Sequence, residues 1–299
     1  MSVARDRRIA YSQNFLRSPR LVDRLLDRSG IAAGDLVIEI GPGHGVITGR
    51  LSARCRQVLA VENDPRLVEA LRVRFADVGN VALFAGDFLN FPLPMTAYKV
   101  FANIPFNMTA AIVGKLTSGA SPPVDAYLAV QREAAERFLG APRETLVAVL
   151  LKPWFEPSVV HHFRRGDFSP APGVDVVLLR LRRRERPLVD PSEAEFFGDL
   201  ASCVFSAWRP TVRAALNAFV PTRQIARIEQ AIGCTLAAPP SALPFPAWLA
   251  LASAIRDVAG ERVNAVHGAR QRLEQQQATL KKDHRTRTMV RRGDEREVR

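Results

Sequence analysis

The chain has 299 residues, 47% of them hydrophobic, and a formal net charge of +12 with a pI near 10.6. That apolar content supports one large core and a smaller one and excludes wholesale disorder, and the longest apolar run, Leu146 to Leu151, is stopped by Lys152 and Pro153, well short of the about 18 residues of a membrane span. The widely spaced Cys55, Cys203 and Cys234 read as buried thiols, and Arg5, Arg7 and Arg8 have no apolar run behind them, so no signal peptide and a cytoplasmic address are expected.

Residues 1–10 form a basic arm. A helix follows, because Ser18 caps, Pro19 fits the first turn, Leu21, Val22, Leu25 and Leu26 share one face, and Gly30 stops it. Short apolar runs then recur at Leu36–Ile40, Val58–Val61, Val81–Phe84, Val100–Ala102 and Ala126–Val130, with room for helices between them. The alternation predicts an α/β fold whose mostly parallel sheet is covered on both faces. Strands at Ser158–Phe163 and Val174–Leu181 are too close for a crossover helix and predict an antiparallel hairpin at the sheet edge.

After the basic stretch Arg180–Arg186 the pattern turns helical. Asp190, Pro191 and Glu193 make a start signal, Phe196, Phe197, Leu200 and Val204 share a face, and further helices are predicted at Thr211–Phe219, at Thr222–Ile232 with Gly233 as its stop, and at Ala247–Val258 with Gly260 as its stop. The organisation expected is an arm at 1–10, an α/β domain at 11–186, a small all-helical domain at 187–265 and a basic tail at 266–299. From Arg270 the composition is too polar to offset the entropy of ordering, so that tail is expected to be mobile.

The first strand runs into Gly41-Pro42-Gly43-His44-Gly45, where glycines let a ligand approach the backbone closely at the carboxyl edge of the sheet. A dinucleotide fingerprint requires a third glycine at position 46, which is Val46; the GxGxG spacing favours S-adenosylmethionine over NAD. Glu62, at the end of the second strand, is placed to accept hydrogen bonds from both ribose hydroxyls, and Asp87, at the end of the third, from the adenine amine of the cofactor, with Phe88 packing nearby. Each of these residues alone also fits an ordinary turn or a solvated carboxylate. Their joint placement at successive strand ends favours a cofactor site.

The fourth strand ends in Asn103-Ile104-Pro105-Phe106. An adenine amine is conjugated with its ring and is a poor nucleophile. The Asn103 side-chain carbonyl and the Ile104 backbone carbonyl could accept both amine hydrogens and favour a pyramidal nitrogen, while Pro105 stiffens the turn and Phe106 stacks on a base withdrawn from its helix. No histidine spacing suggests a metal, and none is expected.

With these segments the chain resembles the ribosomal RNA adenine N6-methyltransferases, the family of the Erm resistance enzymes and the small-subunit dimethyladenosine transferases. The resemblance spans about residues 11–182 and includes Gln13-Asn14-Phe15-Leu16, Glu39–Gly45, Glu62-Asn63-Asp64, Gly86-Asp87, Asn103–Phe106, Val130-Gln131-Arg132-Glu133 and Phe168–Asp175. It implies a Rossmann-like class I S-adenosylmethionine-dependent methyltransferase. It also implies that Asn14, Leu16, Gly41, Glu62, Asp87 and Asn103 contact the cofactor and that Phe106 and Phe168 flank the target adenine, although Phe168 reads equally well as a core aromatic.

Ile104 and Phe106 are similar to the Erm branch, where small-subunit enzymes more often carry Leu and Tyr; Val176 and Met108 depart from the common pattern. The Erm branch implies mono- or dimethylation of one adenine of 23S rRNA before full ribosome assembly, by a monomer, with resistance to macrolides, lincosamides and streptogramin B. The alternatives are a 16S rRNA adenine dimethyltransferase and a noncatalytic nucleic-acid-binding protein on the same fold. The intact Asn103–Phe106 segment argues against the last.

Overall fold

The computed structural model describes residues 14–259 and 264–279. The basic arm, Gln13, the Gly260 stop and the tail beyond 279 lie outside the described residues. The chain enters through strand β1 (Phe15–Leu16) and helix α1 (Pro19–Asp27), where the Ser18 hydroxyl accepts a hydrogen bond from the Leu21 N–H at 3.2 Å, and Leu21, Val22, Leu25 and Leu26 are buried.

Alternating strands and helices follow: β2 (Leu36–Ile40), α2 (Val46–Ser52), β3 (Gln57–Glu62), α3 (Pro65–Arg74), β4 (Val81–Ala85), β5 (Lys99–Asn103), α4 (Thr109–Ser118), β6 (Asp125–Gln131), α5 (Arg132–Leu139) and α6 (Leu146–Leu151). After them come β7 (Phe155–His162), β8 (Phe168–Ser169) and β9 (Val176–Arg183). Seven strands make one sheet in the order β4-β3-β2-β5-β6-β9-β7, parallel from β4 through β6.

The hairpin predicted at the edge is present with its second strand innermost. β9 pairs antiparallel with both β6 and β7, so β7 is the outer edge. All five residues of β2 are buried because both faces are covered: Leu36, Ile38 and Ile40 join one core, and Val37 joins the core beneath α1 and α2. Val177, Leu179 and Leu181 of β9 go to the first core and Val176 and Leu178 to the second, the two-residue alternation of a strand inside a three-layer sandwich.

A third core is helical. It is built by α7 (Ala194–Ser206), α8 (Val212–Leu216), α9 (Thr222–Ile232) and α10 (Phe245–Ala259) around Trp248, Leu251, Ile255 and Val204, all fully buried. Gly233 ends α9 at φ 66°, as its position predicts. The helix expected over Thr211–Phe219 is shorter, because Thr211 is the cap rather than part of the helix, and Val212–Leu216 form a single turn and a half behind it. Val149 of α6 packs in this helical core and Leu151 in the sheet core, so α6 ties the two together ahead of the boundary drawn near Pro187.

The expectation of a mobile chain from Arg270 is corrected for residues 270–279. Residues Ala269–Thr279 form helix α11, packed on α7. Its N-terminus is held by a residue distant in sequence: the buried Asp199 carboxylate accepts the N–H groups of Gly268 at 2.6 Å and of Arg270 at 2.9 Å. Local composition cannot reveal a helix whose cap is a carboxylate of another helix.

Candidate active site

The chain runs β2, β3, β4 outward in one direction and then returns to place β5 on the other side of β2. The carboxyl ends of β2 and β5 therefore flank the point where strand order reverses, which is where an open parallel sheet leaves a crevice. Gly41–Gly45 follow the first of these ends and Asn103–Phe106 close and follow the second.

Gly41, Gly43 and Gly45 all have positive φ, a conformation that L side chains rarely adopt. An ideal Cβ on Gly43 would lie 2.5 Å from the Phe15 ring, and the Phe15 and His44 rings are 4.6 Å apart, so β1 closes over this turn. Beside Gly41 nothing lies within 4 Å of such a Cβ. The turn is thus packed under Phe15 on one side and open at Gly41.

Glu62 organises the neighbouring strand end. Its buried carboxylate accepts the Gly43 N–H at 3.1 Å on one oxygen and the Asn63 and Asp64 N–H groups at 2.8 and 2.9 Å on the other. Of the about four lone-pair positions on a carboxylate, three are used internally and one remains on the oxygen that faces Gly43. The expectation that Glu62 meets two ribose hydroxyls is narrowed to one direct acceptor position in this arrangement.

Two residues before Gly41, Glu39 is fully enclosed. Burial pushes its carboxyl up to about 8, opposed by the Thr48 hydroxyl, which donates to it at 2.6 Å, and reinforced by the nearby Glu62 charge. Oε1 of Glu39 has no partner among the described residues. The sequence placed Glu39 in the first strand and in the Glu39–Gly45 segment of the resemblance but gave it no role; an acidic residue at an inward position of a central strand was the available signal.

Asp87 caps the single turn Phe88–Asn90 by accepting the Leu89 N–H at 2.9 Å. Lys115 of α4 steadies this loop, with Nζ donating to the carbonyls of Leu89 and Phe91 and lying 5.3 Å from the centre of the Phe88 ring.

Asn103 is half-buried, and its Nδ2 donates to the Asn14 backbone carbonyl at 2.6 Å. A carbonyl partner requires the NH2 end of the amide, which fixes Oδ1 as the end turned elsewhere. Asn14 is held there because β1 pairs antiparallel with β8, Leu16 opposite Phe168 and Phe15 opposite Ser169. Ile104 is buried, and Phe106 is half-buried at the head of a short turn whose carbonyl accepts the Thr109 hydroxyl.

Phe168 is 2% exposed and edge-to-face with Phe163 at 5.1 Å. A base could reach its ring only if Phe163 or the β1–β8 pair moved, so of the two aromatics expected to flank a base, Phe106 is the accessible one. At the far end of β6, Arg132 meets Asp175 twice: its N–H donates to the Asp175 carbonyl at 2.9 Å and its guanidinium lies 3.1 Å from the carboxylate. The motifs around residues 130–133 and 168–175 thereby form one rim.

Residues 4–240 match the model of the ribosomal RNA adenine dimethylases. The chain belongs to that family. It is 34% identical over 258 residues to the ribosomal RNA small subunit methyltransferase A of Synechococcus sp. strain WH7803, spanning 81% of this chain and 91% of that one. To an rRNA methyltransferase of Streptomyces thermotolerans it is 32% identical, over 77% of this chain and 79% of the relative. Among solved structures, that of the 23S rRNA methyltransferase ErmE superposes with a TM-score of 0.74 at 29% identity, covering 81% of this chain and 99% of the other.

As a ribosomal RNA adenine dimethylase homologue, the chain is an rRNA adenine N6-methyltransferase that uses S-adenosylmethionine. The strand ends fit that cofactor. The space beside Gly41 admits a ligand against the backbone, and one acceptor position of Glu62 points to the same turn. No described helix is long and apolar enough to cross a membrane.

The arginines at the junction behave differently from their composition. Arg180 is bound to Asp125, and Arg182 and Arg184 share Glu156, which they hold below the ordinary carboxylate range. The Arg183 guanidinium donates to the Pro122 carbonyl at 3.1 Å. The run is mostly an internal ion-pair ladder along β9.

Proposed function

We propose that this enzyme methylates N6 of one adenine of 23S rRNA at the macrolide site, adding one or two methyls, and so confers resistance to macrolides, lincosamides and streptogramin B. The observation that carries the chemistry is the Asn103 amide, tethered through Nδ2 to Asn14 with Oδ1 turned away from that tether. Bound in the crevice, S-adenosylmethionine supplies an electrophilic methyl group. Gly41, Gly43, Glu62 and Asp87 hold the cofactor, aided by Leu16 of β1 and by Asn14 just before it.

Asn103 Oδ1 and the Ile104 carbonyl accept the two hydrogens of the target amine, which draws the nitrogen lone pair out of conjugation and orients it. Pro105 keeps the turn rigid and offers no competing N–H, and Phe106 stacks on the displaced base. Phe168 backs this wall from beneath Phe163. Two waiting acceptors cost little reorganisation when the amine arrives, which is where the rate gain from these residues originates.

Ile104 and Phe106 support the Erm-type target, as does the likeness to ErmE over nearly all of that chain. A cytoplasmic monomer acting on rRNA before full ribosome assembly fits this reading, and the catalytic domain at 11–186, the helical domain at 187–265 and the segments outside them divide the labour between chemistry and RNA capture. The similarity to a small-subunit methyltransferase over 91% of its length favours a second reading, dimethylation of 16S rRNA. Primer extension on rRNA from cells with and without the gene decides between them: a stop at a 23S adenine together with macrolide resistance supports the first, and stops at neighbouring 16S adenines overturn it.

A further inference from the structure

Charge on α1 is segregated. Leu21, Val22, Leu25 and Leu26 are buried, and on the outward side Asp23 and Asp27 occupy one flank while Arg20, Arg24 and Arg28, at four-residue spacing, occupy the other. The two carboxylates are engaged: Asp23 pairs with Arg50 at 3.5 Å and with Arg54 at 3.2 Å, and Asp27 pairs with Arg54. Arg17, Arg20, Arg24 and Arg28 are all exposed, and none of them forms an ion pair among the described residues. They differ in this from the arginines of β9, which spend their charge on Asp125 and Glu156.

This row costs the helix stability. Like charges four residues apart repel, and an arginine in the first turn opposes the positive end of the helix dipole, which α1 meets with no acidic residue. An anion lying along the row reverses both effects. Side chains four residues apart leave a helix about 5–6 Å from one another, close to the separation of consecutive phosphates on one RNA strand.

The fold fixes where the row begins and ends. The Arg17 N–H donates to the Asp167 carbonyl at 2.9 Å, beside the exposed Arg164 and Arg165, and three residues earlier the Asn14 carbonyl holds the Asn103 amide. Past the other end of α1, the Gly30 carbonyl accepts Lys99 Nζ at 2.8 Å, at the start of β5. The row therefore starts at the carboxyl edge of the sheet, where Asn103 closes β5, and descends toward the amino edge, Arg20 to Arg28 covering about 12 Å of helix axis. His161 of β7 lies near it: burial holds its imidazole below the ordinary range, Asp167 opposes this, and Arg28, His162 and Arg24 reinforce it.

We propose that Arg17, Arg20, Arg24 and Arg28 form a track for the phosphate backbone of the RNA substrate, leading away from the Asn103 crevice along α1. The proposal rests on the RNA-methylating reading of that crevice. Cations in a line take up phosphates without reading bases, so the track supplies affinity and direction while the crevice supplies the chemistry.

The test uses the full chain and a fluorescein-labelled RNA hairpin with an adenine in its loop, with anisotropy read at several salt concentrations. Arg20→Gln, Arg24→Gln and Arg28→Gln combined should weaken binding roughly 100-fold at low salt and flatten the logarithmic salt slope by about 2 to 3, since each lost phosphate contact removes about 0.7 to 0.9. The same three positions changed to Lys should keep the wild-type slope. Melting temperature and affinity for S-adenosylhomocysteine should stay near wild type in both variants, because these side chains are exposed and touch no part of the cofactor crevice. Arg56→Gln, Arg66→Gln and Arg72→Gln combined remove the same charge from exposed positions off the row, and should change the slope by less than about 1. A wild-type slope in the first variant, or equal flattening in the last, overturns the track alone. A wild-type chain with no affinity for the hairpin overturns the functional reading and the track with it.

Discussion

The Asn14 backbone carbonyl accepts the Asn103 Nδ2 hydrogen bond across 89 residues of sequence, at 2.6 Å. Two segments named in the same family signature are thus one device: the first orients the amide that the second presents. Asn103→Ala should leave the melting temperature near wild type, because the residue is half-buried at a strand end, yet lower kcat about 100-fold or more. Asn103→Asp should fare no better, since a carboxylate cannot donate to the Asn14 carbonyl. Single-turnover methyl transfer on protein-free rRNA measures both; turnover within a few fold of wild type in either variant would remove the amine-orienting role.

Glu62→Gln replaces an acceptor of three backbone N–H groups with an amide whose NH2 end opposes one of them. An NH2 group beside Gly43 cannot accept the ribose hydroxyl that the free Oε2 position would take, so affinity for S-adenosylhomocysteine should drop by about 1–3 kcal/mol, while the opposed backbone N–H lowers stability. Titration calorimetry reads it directly, and an unchanged dissociation constant would take Glu62 out of the cofactor site.

The elevated Glu39 carboxyl makes stability depend on pH. The unfolded chain releases this proton near 4.5 and the folded chain only near 8, so rising pH favours unfolding across that interval and has no further effect above it. Glu39→Gln has no proton to lose. Its stability advantage over wild type should therefore grow by about 1.4 kcal/mol per pH unit between the two values and then level off. Paired urea melts from about pH 5 to about pH 9 check the sign; an advantage that stays constant with pH would show that Glu39 is ionised in the fold.

Gly43→Ala adds a methyl 2.5 Å from the Phe15 ring in a backbone conformation at φ 58°. Left-handed backbone costs an L residue about 1–2 kcal/mol, and the ring must move as well. Stability and cofactor affinity should both fall, and the Phe15–Leu16 amides should lose hydrogen-exchange protection. Retained protection there would show that Phe15 does not depend on the turn beneath it.

The strands were legible because the sheet is covered on both faces: Leu36–Ile40 is apolar at nearly every position and sits between glycines and polar residues, a pattern few other elements produce. The glycine turn and Asn103–Phe106 were legible for the same reason, since strand ends locate them. Contacts set by distant residues were not. Nothing near Arg270 announces a helix capped by Asp199, nothing near Phe168 says that Phe163 covers it, and the arginines after Leu179 read as free charge until β6 and β7 bring Asp125 and Glu156 alongside. Side-chain alternation places a residue on a face, but its partner belongs to another strand.

The β1–β8 pair also sets an order of events. Asn14 is made early in synthesis, but the residues that hold its segment, Phe168 and Ser169, are made after all five parallel strands are complete. A nascent chain still short of β8 contains the five parallel strands and the glycine turn but lacks both β9 and the strand that pairs with β1, so its Asn14 segment has no partner to hold it against Asn103. If Asn103 orients the amine as proposed, competence waits for this late pairing, and a chain that ends before β8 carries no finished site.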